Sequence, residues 1–501
     1  MKTNTLDFDA QALRDRILDL AMRGKLVPQD PSDEPASVLL EKIKAEKAEL
    51  VKEKKIKKSK PLPEITDDEK PFDIPDSWEW VRLGEVGNYI QRGRSPKYDK
   101  KNKSHPIISQ KCVQWENIYL KDAKYITKTF FDKLEDYRFV QENDVLWNST
   151  GTGTVGRLNI VKQNLDHIPV DSHVTLIRMN KQVNPDYIYY YLRSPEIQDN
   201  LNDYLTGTTK QKELGLTNIL KVKIPLPPLS EQSRIAAKIA QLFALLRKVE
   251  TSTQQYAKLQ TLLKSKVLDL AMRGKLVKQD PNDEPASVLL EKIKAEKAEI
   301  VKEKKIKKSK PLPPITDEEK PFDIPDSWEW VRLGNIVSYQ NGYAYKSSEL
   351  VKIRKGLPVI KSQNIMTLKV IIKDNNDYVK EPNEKMLNSK IIKGDLLMCL
   401  SSQSKNPEPL GKTAIYDLDK PALLNQRVLK LKLINHSMTD LIYYFINSSW
   451  FHFTVSHRGS GSGQSNLKLG DVMNMPIPVP PLNEEKHIVN RIEILFKKLS
   501  N

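Results

Sequence analysis

LDLAMRGKLV at 18–27, DEPASVLLEKIKAEKAE at 33–49 and KPFDIPDSWEWVRLG at 70–84 all occur a second time, at 268–277, 283–299 and 320–334. The full repeat runs 17–84 and 267–334, and over its 68 positions only 17, 28, 32, 50, 64 and 68 differ from the residue 250 places on. Solenoid repeats have units of ~20–50 residues. A period of 250 instead makes this 501-residue chain two large halves.

After each copy the text differs but keeps its order. PIISQKCVQWENI (106–118) matches PVIKSQNIMTLKV (358–370), and NDVLWNSTGTGTVGRLNIV (143–161) matches GDLLMCLSSQSKNPEPLGKTAIY (394–416). SHVTLIRM (172–179) and QRVLKLKL (426–433) alternate as strands do. DYIYYYL (186–192) and DLIYYFI (440–446) read as helices with an apolar face. Each half closes alike, on IPLPPLSEQ or IPVPPLNEE. Two α/β domains of one fold follow, each large enough for its own core.

Past Pro228 comes a long run without Pro or Gly, with Ser230 as the expected N-cap and Gly274 as the stop. Apolar residues fall every seventh place: Ile235, Leu242, Val249, Tyr256, Leu263 and Leu270. About 40–45 helical residues would make a rod of roughly 60–65 Å. The C-terminus repeats the first part of this pattern (Ile488, Ile492, Leu495, Leu499) and the N-terminus the second (Leu6, Leu13, Ile17, Leu20). The expected fold is therefore α+β: two similar α/β domains related by a pseudo-two-fold and separated by an antiparallel pair of long helices, a coiled-coil spacer. Amphipathic helices packed on their neighbouring domains are the alternative; the split pattern favours the pair.

The formal charge is +17, and residues 41–60 and 291–310 each hold nine Lys and four Glu, so ten of those charges sit in two short arms. A solvated helix face, a grip on phosphates and a partner surface all fit such arms. No apolar run approaches the ~20 residues of a membrane span. The only cysteines, Cys112 and Cys399, have no neighbouring partner, which fits a reducing cytoplasm and no disulfide or cysteine-rich zinc site.

The repeated blocks, the closing Pro-Pro-Leu motifs and the two variable domains between them resemble type I restriction-modification specificity subunits, over essentially the whole chain. The resemblance implies two target-recognition domains, 78–229 and 328–482, each reading one part of a split, asymmetric site on double-stranded DNA. It implies an N-terminal helix and arm (1–77), a central helix and arm (230–327) and a C-terminal helix (483–501) that space the halves and dock two methyltransferase subunits. Those subunits would carry S-adenosylmethionine. A further restriction and translocation subunit would use ATP and Mg²⁺. The chain itself would bind no cofactor or metal and catalyse nothing.

Base readout needs hydrogen-bonding side chains on loops that enter a groove. In the first domain the candidates are Arg92, Arg94, Lys97, Lys100, Lys101, Lys111, Ser149, Thr150, Thr152, Arg157, Thr208, Thr209, Lys210 and Gln211. In the second they are Lys361, Gln363, Asn364, Ser401, Ser402, Gln403, Lys405, Arg427, Ser460, Ser462 and Gln464. Any one of these also reads as an ordinary polar loop residue.

Other motifs point nowhere. GTGTVG at 151–156 fits a dinucleotide fingerprint, but RLNIV after it alternates like a strand instead of opening a helix. There is no phosphate-binding Gly-x-x-x-x-Gly-Lys-Ser/Thr and no Asn/Asp-Pro-Pro-aromatic tetrapeptide. Trp78 and Trp80 stand on one strand face and more simply anchor a domain than stack on bases. Two rivals remain: a self-contained DNA-modifying enzyme, and a coiled-coil adaptor that binds only proteins.

Overall fold

The computed structural model describes residues 8–500 apart from Ser59, Asn164, Asp166, 208–211, Thr367, 402–409 and 459–465; of 456–458 and Ser500 only the backbone is described. The described residues fall into two units that divide between 253 and 254.

In the first unit, the β-branched and apolar alternation of 145–148 and 174–179 builds a four-stranded antiparallel sheet in the order Gly87–Arg92, Val174–Met179, Val145–Asn148, Leu158–Ile160. Successive side chains point to opposite faces. Val145, Trp147, Ile177 and Met179 therefore join the larger core, while Leu146, Val174 and Leu176 join a smaller one with Ile108, Cys112 and Val170. In the second unit the order is Val337–Asn341, Val428–Leu433, Leu396–Cys399, Thr413–Ile415. Leu396, Met398 and Leu431 face one core there, and Leu397, Cys399 and Val428 the other. One carboxylate, the buried Asp144 or the half-buried Asp395, is held at the same place in each sheet. Arg178 grips Asp144 with two hydrogen bonds of 2.7 and 2.8 Å, and Lys430 reaches Asp395 at 2.7 Å.

The last strand of each repeat copy closes its domain. Glu79–Arg82 pairs antiparallel with Lys223–Leu226, and Glu329–Arg332 with Pro476–Val479. A two-stranded ribbon is marginal by itself, and a buried arginine secures each one. Arg82 donates to the carbonyls of Pro63, Glu64 and Lys221 and pairs with Glu69 at 2.8 Å. Arg332 repeats this with Pro313, Pro314, Asn474 and Glu319. Just upstream, the Trp78 and Trp328 indoles each donate at 2.9 Å to a buried glutamate, Glu231 and Glu484.

The long helix runs Leu229–Met272, 44 residues, or about 66 Å. It begins directly after Pro228, so Ser230 is not its N-cap; the Ser230 hydroxyl instead donates to Asp33 at 2.5 Å. Gly274, at φ +63°, follows its end as expected. Antiparallel helix pairing is present within each unit. Ala10–Met22 runs against the first part, with Arg14 on Glu250 at 2.5 Å and Leu18 and Met22 in one core with Ile235 and Ile239. Leu482–Ser500 runs against the last part, with Gln260 donating to the Leu499 carbonyl and Leu268 and Met272 in one core with Ile488 and Ile492. Burial along the heptad seam is uneven. Ile235, Ile488 and Ile492 are buried and Leu242, Leu270 and Leu495 half-buried, whereas Val249, Tyr256 and Leu263 are 45%, 56% and 48% exposed. Leu6 lies outside the described residues.

The two helix starts differ at one buried position. In the first unit Gln232 donates to the Pro227 carbonyl and accepts from the Asn184 amide, both at 2.8 Å. The same place in the second unit holds Glu485, 2% exposed, whose Oε2 has no partner among the described residues. Burial, with Asp440 nearby, pushes this carboxyl up to about 7. A folded-state value raised above the ordinary 4.5 means stability that is complete below that value and lost as pH rises through about 7. The loss by pH 8 is on the order of 3 kcal/mol. Glu485→Gln should accordingly raise the thermal midpoint at pH 8 and shift it little at pH 5; equal shifts at both would sink the argument.

Candidate nucleic-acid interface

Four loops meet at the end of the first sheet where Arg92 and Asn148 stand, and backbone hydrogen bonds fix their meeting. The Ser149 amide donates to the His173 carbonyl and the Leu214 amide to the Ser149 carbonyl, both at 2.8 Å. The Asp171 amide reaches the Ile108 carbonyl at 2.9 Å. The second unit repeats the scheme: Leu400 donates to Arg427 at 2.9 Å, Leu467 to Leu400 at 2.8 Å and Asn425 to Ile360 at 3.0 Å. None of these bonds uses a side chain. The same frame can therefore hold loops of different sequence.

Glycine is required at one point of each frame. A Cβ on Gly93 would lie 1.9 Å from the Val170 carbonyl oxygen, and one on Gly342 2.1 Å from that of Asn425. Those oxygens are backbone and cannot rotate away.

The structure sorts the candidate side chains. Ser149 is fully buried and shares a 2.5 Å hydrogen bond with Thr175. Asn364 is fully buried between the Ile371 carbonyl at 2.8 Å and Asn376 at 2.7 Å. Ser401 is buried and bridges to Asn466 in the backbone ladder. The expectation that these three touch a ligand is corrected, because none has surface to offer.

Three more candidates are turned inward by partners. Arg92 pairs with Glu213 and donates to the Leu214 carbonyl, so it ties the strand end to the neighbouring loop. Arg157 donates to Gln114 and to the Gly153 carbonyl, both at 2.7 Å, and thereby holds the 149–157 loop in shape. Lys361 pairs with Asp377. These side chains hold the loops in place.

Lys97, Lys100, Lys101, Lys111, Thr152 and Gln363 are exposed, and so is Arg94, although Glu135 holds it at 2.8 Å. Thr150 is half-buried and shares a 2.5 Å hydrogen bond with His173. Arg427 is half-buried. Thr208, Thr209, Lys210, Gln211, Ser402, Gln403, Lys405, Ser460, Ser462 and Gln464 lie outside the described residues.

Sequence reasoning missed two lysine–aromatic pairs. Lys124 stands over the exposed Tyr98 ring at 4.6 Å and Lys121 over Tyr119 at 5.2 Å. Aromatics interleaved with lysines across 97–125 were the available signal. Asp171, buried between the loops, has its carboxyl pushed up by burial and accepts from the His173 amide at 2.9 Å. Among the described residues no cluster of His, Cys, Asp or Glu could hold a metal ion, and no helix is long and apolar enough to cross a membrane.

The family model described as the type I restriction modification DNA specificity domain matches this chain twice, over 75–260 and 325–501. The chain belongs to the type I restriction-modification specificity subunits. The EcoAI specificity subunit of Escherichia coli is 34% identical over 543 residues, covering 98% of this chain and 89% of that one. The EcoEI specificity subunit of the same species is 30% identical over 550 residues, with the same coverage. Among solved structures, a chain from work on complex assembly and conformational transition of the type I R-M system aligns with a TM-score of 0.54 at 20% identity, covering 86% of this chain and 93% of that one, which shows a shared fold. The specificity subunit thus carries two specificity domains, and each match contains one of the loop clusters above.

Adding a Cβ at Gly93 would force the 92–94 strand end away from 170–171. Gly93→Ala should cost the first unit roughly 2–4 kcal/mol, seen as a lower denaturant midpoint. Unchanged stability would mean that the close approach is not needed.

Proposed function

We propose that each specificity domain reads one half of a bipartite, asymmetric DNA target through its loop cluster, and that this subunit directs the chemistry of others without performing any. One observation carries the reading: two domains share a backbone-held frame and differ in the loops that the frame presents. A common fold with unlike loops suits two unlike half-sites. The recognition domains are taken as 78–229 and 328–482. The long helix Leu229–Met272 would set the unspecific gap between half-sites, about one helical turn of DNA or a multiple. Two methyltransferase subunits, which would bind S-adenosylmethionine and methylate adenine, are the proposed partners. A restriction and translocation subunit using ATP and Mg²⁺ would join them.

The deciding experiment is to express the chain with its methyltransferase subunit and map adenine methylation across a host genome by single-molecule sequencing. The expected outcome is one split motif with a fixed gap. Exchanging 78–229 for the corresponding domain of a relative should then change one half of the motif alone. Methylation at an undivided motif, or none from an active partner, would refute the reading.

The exposed lysines at 97, 100 and 101 should act on phosphates and not on bases. Changing Lys97, Lys100 and Lys101 together to Gln should weaken binding to duplexes of any sequence and reduce the salt slope by about 2–3, with the methylated motif unchanged. A changed motif would instead make them base readers.

A further inference from the structure

Val174–Met179 and Val428–Leu433 are inner strands of their sheets, and each starts at the end where the loops meet. The residue just before each start, His173 or Arg427, occupies the same place in both units. Its carbonyl accepts from a neighbouring loop amide, Ser149 at 2.8 Å or Leu400 at 2.9 Å. Its own amide donates to the side chain two residues back, Asp171 at 2.9 Å or Asn425 at 3.3 Å. Both main-chain groups are thus held alike in the two units, whatever side chain the position carries.

In the first unit the side chain is held as well. His173 is exposed, and its Nδ1 shares a 2.5 Å hydrogen bond with the Thr150 hydroxyl. Thr150 is fixed in turn, because its loop is tied down by Arg157 on the Gly153 carbonyl and its backbone bridges to Glu213. One ring nitrogen is therefore bound inward. Nε2 has no partner among the described residues and is the group the ring has left to offer.

A contact that only positions a duplex works with a mobile cation on a phosphate, whereas one that names a base needs a hydrogen-bonding group of fixed direction. The neighbours of His173 do not supply it. Ser149 is buried, and Arg92, Arg94 and Arg157 are each tied to a partner. The exposed, oriented group at the centre of the first loop cluster is the imidazole.

We propose that position 173, with its counterpart 427, is a base-reading position of each domain, and that His173 reads a purine through N7. This rests on the function proposed above and adds the residue and the class of base. With the Thr150 hydroxyl donating to Nδ1, Nε2 carries the proton and is a single donor. Guanine and adenine both present N7 as an acceptor in the major groove. One donor there separates purine from pyrimidine without telling the purines apart. Arg427, half-buried at the same place in the second unit, has a fork of parallel donors that fits O6 and N7 of guanine. Equal frames thus carry unequal readers.

The test maps adenine methylation by the full chain with its methyltransferase subunit, in the parent and in single variants, with a thermal melt of each. His173→Ala should relax one purine position of one half-site to any base, with discrimination there falling roughly fivefold or more, and leave the other half unchanged. Arg427→Ala should relax one guanine of the other half alone. His173→Arg should narrow the purine to guanine, a gain that a damaged fold would not produce. Thr150 acts only by positioning the ring, so Thr150→Val should relax the same position less than His173→Ala does, and Thr150→Ser should restore it. An unchanged motif in both His173 variants would overturn the proposal, and so would relaxation at a pyrimidine or an Arg427→Ala variant with its half-site intact. Methylation weakened evenly over all sequences would make His173 a phosphate contact and overturn it too. A parent complex that methylates no split motif would instead fail the underlying function, and this inference with it.

Discussion

The antiparallel pairing of Glu79–Arg82 with Lys223–Leu226, and of Glu329–Arg332 with Pro476–Val479, is the constraint on which the rest depends. Each pairing brings the end of the repeat back beside the end of the variable domain. The domain is thereby closed at a point where the chain must next start a helix. Pro227-Pro228 ends the strand, because proline cannot continue a ladder. The helix starting at Leu229 then leaves from a fixed place. The buried arginines make that place independent of the loops: Arg82 and Arg332 draw their partners from the arm segment and from the residue two places before the closing strand, Lys221 or Asn474. A domain so closed can change its variable loops without moving its helix.

The same separation holds inside each sheet. Both faces of the central strands are buried, so their sequence is restricted almost everywhere along their length. Variation is confined to what lies beyond the strand ends, where backbone amides and carbonyls hold the loops. An exchanged loop need only present the same main chain, and glycine at 93 and 342 where carbonyls come within a bond length or so of a Cβ. Hydrogen bonds between main-chain groups are indifferent to side-chain identity, which is why specificity can change while the fold does not.

Periodicity and repetition made the frame legible. The 250-residue offset, the alternation in VTLIRM and VLKLKL and the long heptad run all depend on spacing along the chain, which needs no tertiary contact to be read. The site was legible only as a set of loops. Ser149 lies one residue past a strand, where alternation no longer says which way a side chain points, and it turned out to be buried against Thr175. Arg92 looked like a free cation because its partner, Glu213, is 121 residues away in sequence. Asn364 reads as a polar loop residue until Asn376 is seen across from it. Along the heptad seam spacing marks the apolar stripe, but how far a neighbour covers each member, Ile235 as against Val249, Tyr256 and Leu263, is a matter of tertiary contact.

Charge shows the limit of composition most directly. The lysines of an arm are alike in sequence, yet Lys47 and Lys297 lie among backbone carbonyls, and burial lowers their tendency to hold a proton. Three accepting oxygens offset that desolvation for Lys47, since a buried ammonium is tolerable only where its donors are matched. Such a lysine contributes to the formal charge of the chain but offers little of it to a ligand. The lysines beyond the end of the arm helix, Ala36–Lys52 or Ala286–Lys302, have no such cage and project their field into solvent. Two arms of equal composition therefore each hold a structural cation and a set of available ones. Net charge counts both kinds together, so it points to an anionic partner without saying which surface meets it; the position of each ammonium relative to the carbonyls and to the recognition loops supplies that missing term.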